Sequence, residues 1–517
     1  MEKNVDVVVV GGGAAGYAGA VALARSRRMV LLVDAGDQRN ISAGHVHNFL
    51  TRDGMPPAEL YAAGRAEFQG YGGQLITGRV EAIARDGELF RMTVGEDTIT
   101  ARGVLVATGA RDELPDVPGL AEQWGRGVIH CPYCHGWEVR DRRIGVLATG
   151  PTAVHQALLF RQLSADVTLL VHAGEAPSGQ AADQLDALGI AVVAGPVVAV
   201  QSGGGVLTGA QLADGRVVAL DALVVASFVR ARAELLAPLG IETAEFRVGE
   251  HAVATHVPPG PSGTTSVPGL YVAGNVAEPM AQVITAAAAG LMAGAALNIE
   301  LITRDAAAAA QRQRDHFWSE QAWDDRYREH PQRFSGAPNA ALVAEVSGLA
   351  PGSALDAGAG EGGDATWLAQ QGWTVTAADL SQVALERAAS AAAAAGVTIE
   401  AAHLDLTAKP APGRYDLVTS SYVHVPGDLR RLLFTRLAAA VAPGGTLLVV
   451  GHDLSDLSTS VPRQRLAEAG WTAEHVAATL GDGWVVDTCA ALPRTVTNPH
   501  GEQVTVHDAV LRAHRVD

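Results

Sequence analysis

The stretch Val5-Asp6-Val7-Val8-Val9-Val10-Gly11-Gly12-Gly13-Ala14-Ala15-Gly16 decides how the first part of the chain folds. An apolar run stops at a glycine-rich turn, and Ala18 to Ala24 then reads as a helix. Strand, turn and helix stand in the order a dinucleotide site requires: Gly11, Gly13 and Gly16 allow the tight turn and the close approach of backbone to a pyrophosphate. The next strand, Met29 to Val33, ends on Asp34, about 20 residues on, where a carboxylate accepts hydrogen bonds from a ribose diol. A glycine turn that merely packs a helix on a strand leaves this acid without a role.

Val104-Leu105-Val106-Ala107-Thr108-Gly109-Ala110 predicts another buried strand ending in a small-residue turn. Gly269-Leu270-Tyr271-Val272-Ala273-Gly274-Asn275 repeats the pattern, ahead of a small-residue helix over Gln282 to Leu297. Between them a second strand-turn-helix unit begins at Ile144. An outer unit interrupted by an inner one predicts an α/β architecture of two nested nucleotide-binding-like domains.

Composition sets the wider bounds. At 517 residues the chain is too long for one ordinary core. With 48% hydrophobic and 18% charged residues it reads as soluble and globular. A net charge of −17 disfavours nucleic acid and anionic membranes as partners, since both require clustered Lys and Arg. Met1-Glu2-Lys3-Asn4 leads straight into a strand without leader features, and no long uninterrupted apolar run suggests a membrane span. Three cysteines make no disulfide scaffold, so a cytoplasmic location is expected.

Two of those three stand in Cys131-Pro132-Tyr133-Cys134-His135-Gly136. A paired thiol downstream of a flavin-type fingerprint is a redox device. A closed zinc site needs four ligands, and the pair supplies two, so no metal is expected. Cys489, alone and distant, reads as a small apolar filler.

On Gly11, Gly13, Gly16, Asp34, Ala107-Thr108-Gly109, the CxxC and Val272-Ala273-Gly274-Asn275, residues 1 to 302 resemble the thioredoxin reductase family of flavoproteins. The resemblance implies FAD over Gly11 to Gly16 with Thr108, Gly109, Gly274 and Asn275 around it, the CxxC against the isoalloxazine, and a homodimer. It divides the region into an FAD-binding domain over 1–115 and 247–302 and an inner pyridine-nucleotide-like domain over 116–246. The family usually has Asp where this chain has Asn275, whose amide is expected to bond the ribityl or phosphate region. The inner domain departs further. Its turn, Ala148-Thr149-Gly150-Pro151-Thr152-Ala153, lacks the first glycine, and no Lys or Arg occurs between Arg161 and Arg216 to hold a 2′-phosphate, while Glu175 repels one.

Cys131-Pro132-Tyr133-Cys134-His135-Gly136-Trp137-Glu138 also resembles the FAD-dependent dithiol oxidases of the gliotoxin and holomycin type, as do Arg39-Asn40 and His45 to Leu50. Those enzymes close a small-molecule dithiol to a disulfide and pass the electrons to oxygen. The resemblance makes Cys131 the sulfur attacked by substrate and Cys134 the partner nearer the flavin. His135 is the candidate general base, standing where thioredoxin reductases carry Asp, with His130 as a second candidate; a packing role for His135 is the competing reading. The alternatives are a reductase fed by NADPH or NADH, and a redox-sensing module.

Beyond Asn298 the composition changes. Residues 303–335 read as a linker and lid helix, and Ala354-Leu355-Asp356-Ala357-Gly358-Ala359-Gly360-Glu361-Gly362-Gly363 resembles the first motif of class I S-adenosylmethionine-dependent methyltransferases. Thr374 to Ala378 ends in Asp379, suited to ribose hydroxyls, and Leu404-Asp405 lies where such enzymes contact adenine. Tyr415 to Val418 and Ala442-Pro443-Gly444-Gly445 predict the fourth strand and the turn into the fifth. The resemblance gives 336–517 as the methyltransferase domain, with Asp356, Gly358, Gly360, Asp379 and Asp405 around S-adenosylmethionine. Trp323 to Tyr327 and Ser335 to Asn339 resemble lid segments of small-molecule methyltransferases. Tyr422, His424, His452 and Asp453 follow strand ends where an acceptor would lie, or pack loops. One chain with both activities implies a shared sulfur metabolite, a small dithiol or thiol.

Overall fold

The computed structural model describes residues 2–150, 152–463 and 466–516; Pro151, in the inner turn, lies outside them. The chain forms two compact units, Met1–Ala306 and Ala307–Asp517.

In the first unit, the strands Gln74–Thr77, Val30–Asp34, Glu2–Val10 and Asp97–Val106 lie side by side in parallel. Asp97–Val106 is long enough to take two further neighbours: antiparallel Leu89–Val94 along its first half and parallel Leu270–Val272 along its second. Val7, Val8 and Val9 have no exposure, as an apolar run covered on both faces of a parallel sheet requires. The inner sheet is all parallel: Ala191–Val193, Val167–Leu170, Ile144–Leu147, Ala222–Val225 and Val128–Ile129. Between these two, Ala110–Glu113 and Phe228–Ala231 pair antiparallel in a four-stranded sheet, where the chain passes out of and back into the outer domain.

Two of the helices that cover one face of the outer sheet cross closely, and their crossing explains the small residues in both. The first, Ala14–Arg25, presents Ala15, Gly16 and Gly19; the other, Val283–Phe317, presents Gly290 and Gly294. A Cβ on Gly290 would stand 2.0 Å from the Ala15 carbonyl oxygen, one on Gly294 2.8 Å from that of Gly19, and one on Gly16 1.8 Å from that of Gly11. Backbones therefore touch directly, and the dinucleotide turn is held from behind by the second helix. That helix runs 35 residues, far beyond the Gln282 to Leu297 expected. The alanine-rich stretch after Asp305, read as a linker, is strong helix former without a stop signal. By length and composition the helix could cross a membrane, contrary to the expectation that no stretch would, but its small-residue face is occupied as that of a core helix.

The second unit holds a seven-stranded sheet in the order Glu400–His403, Thr374–Asp379, Ser353–Ala357, Tyr415–Ser421, Val441–His452, Gln503–Arg515, Trp484–Thr497. The first five are parallel and the last two antiparallel to their neighbours. Strand order reverses beside Ser353–Ala357, so a crevice opens at its carboxyl end, where the Gly358 to Gly362 turn stands.

Gly290→Ala is expected to lower stability by about 1–3 kcal/mol, the cost of forcing apart a filled contact. Gly13→Ala, with no protein heavy atom within 4 Å of its added Cβ, leaves the unfolding midpoint of the FAD-free protein unchanged. Urea unfolding of the two variants measures the difference.

Candidate functional sites

A cavity of about 660 Å³ runs through the first unit, lined by Gly11, Gly13, Asp34, Thr108, Gly109, Gly274 and Asn275, and by Cys134 and His135. Gly16 lies beneath the turn, where it permits the close approach of helix to turn. Asp34 is buried, and its Oδ1 accepts the Gly36 amide at 2.9 Å. Gln38 Nε2 donates to both Asp34 oxygens and to the Gly12 carbonyl, a bridge that no spacing in the sequence announced. Thr108 Oγ1 donates to the Arg232 carbonyl at 2.6 Å.

Asn275 lines the cavity and also ties down the loop that follows it. Its Nδ2 donates to the carbonyls of Glu278, Pro279 and Ala281 at 3.2, 3.2 and 3.0 Å, folding the following loop. A carboxylate cannot make these bonds, so the Asn at this position is a loop-closing donor, and its amide protons are committed to the protein. Nearby, Arg39 grips both Asp112 oxygens at 2.8 and 2.7 Å and donates to the Pro279 carbonyl, while Ser227 Oγ donates to Asp112. Burial pushes the Asp112 carboxyl up, but the hydrogen bonds and charge of Arg39 outweigh it and hold the group below its ordinary range. Four distant segments, at Arg39, Asp112, Ser227 and Pro279, are thus pinned together.

Cys131 and Cys134 form a disulfide, their Cα atoms 5.2 Å apart. Cys131 caps the short helix Pro132–His135, and the Cys134 amide donates to its sulfur at 3.1 Å. Cys134 is on the cavity wall, whereas Cys131 is not among the lining residues. His135 has neither ring nitrogen hydrogen-bonded among the described residues, and burial holds its pKa below the ordinary imidazole value. His130, stacked on Trp124 with ring centroids 5.5 Å apart, is pushed down to about 4 by burial first and then by Arg39.

Two further histidines complete this end. A side cavity of about 120 Å³ is lined by His45, His47, His135 and Glu138. His47 Nδ1 stands 3.2 Å from Asp53 Oδ1 and its Nε2 3.3 Å from Glu138 Oε1. Sequence marked the His45 to Leu50 stretch only by resemblance; the convergence of its histidines on the disulfide is a product of the fold. Among the described residues no group of three or more His, Cys, Asp or Glu could hold a metal.

In the second unit the glycine turn is left-handed at Gly358, Gly360 and Gly362, with φ of 79°, 53° and 82°. Asp379 accepts the amides of Gly360 and Ser381, both at 2.8 Å. Asp405 Oδ1 accepts the Thr407 amide and hydroxyl, shaping the loop after Glu400–His403. Asp356 is fully buried, and its Oδ2 has no partner among the described residues. Burial first, then the charges of Asp364 and Asp379, push its carboxyl well above the ordinary range. An acidic, underpaired turn fits a cofactor carrying an ammonium and a sulfonium. The lid segments close on it: a Cβ on Gly360 would stand 3.2 Å from the Tyr327 hydroxyl, and the Asn339 amide donates to Asp364 at 2.6 Å.

Fold and sites together define a flavoprotein with a thiol–disulfide pair beside a nucleotide cavity, followed by a class I methyltransferase domain. Residues 5–290 match the pyridine nucleotide-disulphide oxidoreductase family, and the chain belongs to it. Residues 354–445 match a methyltransferase domain family. Thioredoxin reductase tcpT of Claviceps purpurea is 31% identical over 312 residues, covering 58% of this chain and 94% of that protein. Thioredoxin reductase sirT of Leptosphaeria maculans is 30% identical over 324 residues, covering 59% and 97%. Among solved structures, HlmI is 42% identical with a TM-score of 0.56, covering 60% of this chain and 96% of HlmI. An oxidoreductase from Agrobacterium tumefaciens is 33% identical with a TM-score of 0.54, covering 58% and 99%. The first unit binds FAD and the second S-adenosylmethionine.

Because His130 is neutral in the folded protein down to about pH 4 but charges near 6.5 when unfolded, its contribution is fully present above pH 6.5 and is lost as pH falls toward 4. The loss is on the order of 3 kcal/mol. Urea titrations across pH 4 to 7 are expected to show a shallower fall for His130→Gln than for the wild type.

Proposed function

We propose that the first unit oxidises a small-molecule dithiol to its disulfide, and that the second methylates a thiol of the same class of metabolite. A substrate thiolate attacks Cys131 Sγ, the Cys131–Cys134 bond breaks, and Cys134 leaves as a thiolate on the cavity side. The second substrate thiolate attacks the substrate sulfur of the mixed disulfide, which closes the product and releases the Cys131 thiolate. His135 takes a proton from the incoming thiol. FAD, when bound, supplies the two-electron acceptor that restores the pair and hands the electrons to oxygen.

The observation that carries the direction of flow is the region following Val167–Leu170 in the inner domain. Arg161 donates to the Leu188 and Ser164 carbonyls, Arg216 pairs with Asp214 at 2.7 Å, and His172 Nδ1 accepts the Val197 amide at 3.1 Å. Among the described residues from Arg161 to Arg216 no cationic side chain is thereby offered to a 2′-phosphate, which needs charge-assisted contacts. The other reading, a reductase fed by a pyridine nucleotide, is favoured by the family match and by the names of tcpT and sirT. On mixing without oxygen, a small dithiol is expected to bleach the flavin within seconds and NADPH or NADH to leave it oxidised; in air the dithiol consumes oxygen, and Cys131→Ser abolishes both responses. Rapid bleaching by either nucleotide sinks the oxidase direction.

A homodimer is supported by the outer face of the Val283–Phe317 helix, where Ile284, Leu291, Met292, Ile299 and Ile302 are exposed at helical spacing. Ile299→Asp combined with Met292→Asp is expected to halve the mass measured by analytical ultracentrifugation; an unchanged mass places the interface elsewhere.

A further inference from the structure

At the carboxyl ends of the fourth and fifth parallel strands of the second unit, side chains gather that cofactor binding does not use. Tyr422 follows Tyr415–Ser421 with φ of 58°, a left-handed conformation that costs a bulky aromatic residue strain. His452 ends Val441–His452, and its ring lies 4.5 Å from that of Tyr422 and 5.2 Å from that of His424. The His452 amide donates to His424 Nε2 at 3.3 Å, which fixes the second ring behind the first. Opposite His452 in the antiparallel register is Asp508, buried, with Oδ2 bonded to Arg494 Nε at 2.6 Å. Its Oδ1 is 4.0 Å from His452 Nδ1, and neither atom has a hydrogen-bond partner among the described residues.

This cluster adjoins the cofactor turn. Val423 fills the space a Cβ on Gly358 would take, 2.1 Å away, and Tyr422 is within electrostatic reach of Asn339, whose amide is bonded to Asp364. The His452 ring is aimed at a buried carboxylate it does not reach. We propose that His452, positioned by Asp508, takes the proton of the thiol being methylated, with the acceptor sulfur held over the Tyr422 ring. This rests on the thiol reading of the second unit.

The acceptor sulfur forms a bond to the methyl carbon as the methyl–sulfonium bond of the donor breaks. The thiol proton passes to His452 Nε2, with the Nδ1–H left facing Asp508, and the products are a thioether and S-adenosylhomocysteine. The ring starts neutral: burial first, then Arg463, His424 and Arg494, hold it far below the ordinary imidazole value, and Tyr422 and Asp508 also face it. A weak base suffices, because the proton becomes strongly acidic as the sulfur turns cationic. Asp508 then balances the imidazolium.

The test uses the full chain and thiophenols of graded acidity. His452→Gln is expected to slow methylation of the least acidic thiol about 100-fold, while the most acidic, already ionised, stays within a few-fold. S-adenosylhomocysteine affinity by calorimetry is unchanged. With no methyl donor present, thiophenol added to the S-adenosylhomocysteine complex shifts one histidine 15N resonance, assigned by its loss in His452→Gln. Equal slowing across the series, no slowing, or no shift overturns the proposal. If His452→Gln does not bind S-adenosylhomocysteine, Asp508→Asn is judged by the same graded series. Methylation of phenols and of no thiol defeats the thiol reading alone, and the graded phenols then decide on His452.

Discussion

The backbone contact between the Ala14–Arg25 and Val283–Phe317 helices is the constraint on which the first unit depends. Gly290 stands where any Cβ would enter the Ala15 carbonyl, and Gly16 stands where one would enter Gly11. The chain enters the glycine turn near residue 11 and returns to support it near residue 290, with the inner domain carried between. Closing the outer domain therefore requires both ends of an excursion of roughly 280 residues to meet without side chains between them. Fold and cofactor site are the same contact seen from its two sides.

The two units solve opposite electrostatic problems. Around the disulfide, burial holds the pKa values of His130 and His135 down, and the charges of Arg39 and Asp112 neutralise one another. A neutral, partly dry pocket favours thiolate chemistry only when a base is at hand, and His135 has unfilled nitrogens. Around the second turn, burial instead crowds Asp356, Asp364 and Asp379, a strained arrangement that a cationic cofactor relieves.

Strand, turn and helix at Val5 to Ala24 and at Ala354 to Gly363 were legible because hydrophobic runs and left-handed glycines are local. The helix from Val283 ran on past its expected end because alanine propagates a helix as readily as it fills a linker. Gln38, Asp112 and His47 were not legible, since each acts through a partner or a wall brought near only by the fold. The role of Asn275 was legible only in part. Its position was known from the motif, but whether its amide faces cofactor or loop depends on three carbonyls downstream.

The inner domain is where the two readings of electron flow make different demands on the fold. Its five-stranded sheet keeps Val128–Ile129 at one edge, and Cys131 follows that strand two residues later, so the sheet sets where Cys134 meets the cavity. That task needs the strands and not a 2′-phosphate site. Under the oxidase reading, cations after Val167–Leu170 can be lost without moving either sulfur, whereas a strand cannot. The reductase reading requires both to persist together, and the side chains around His172 are the place where the two requirements part.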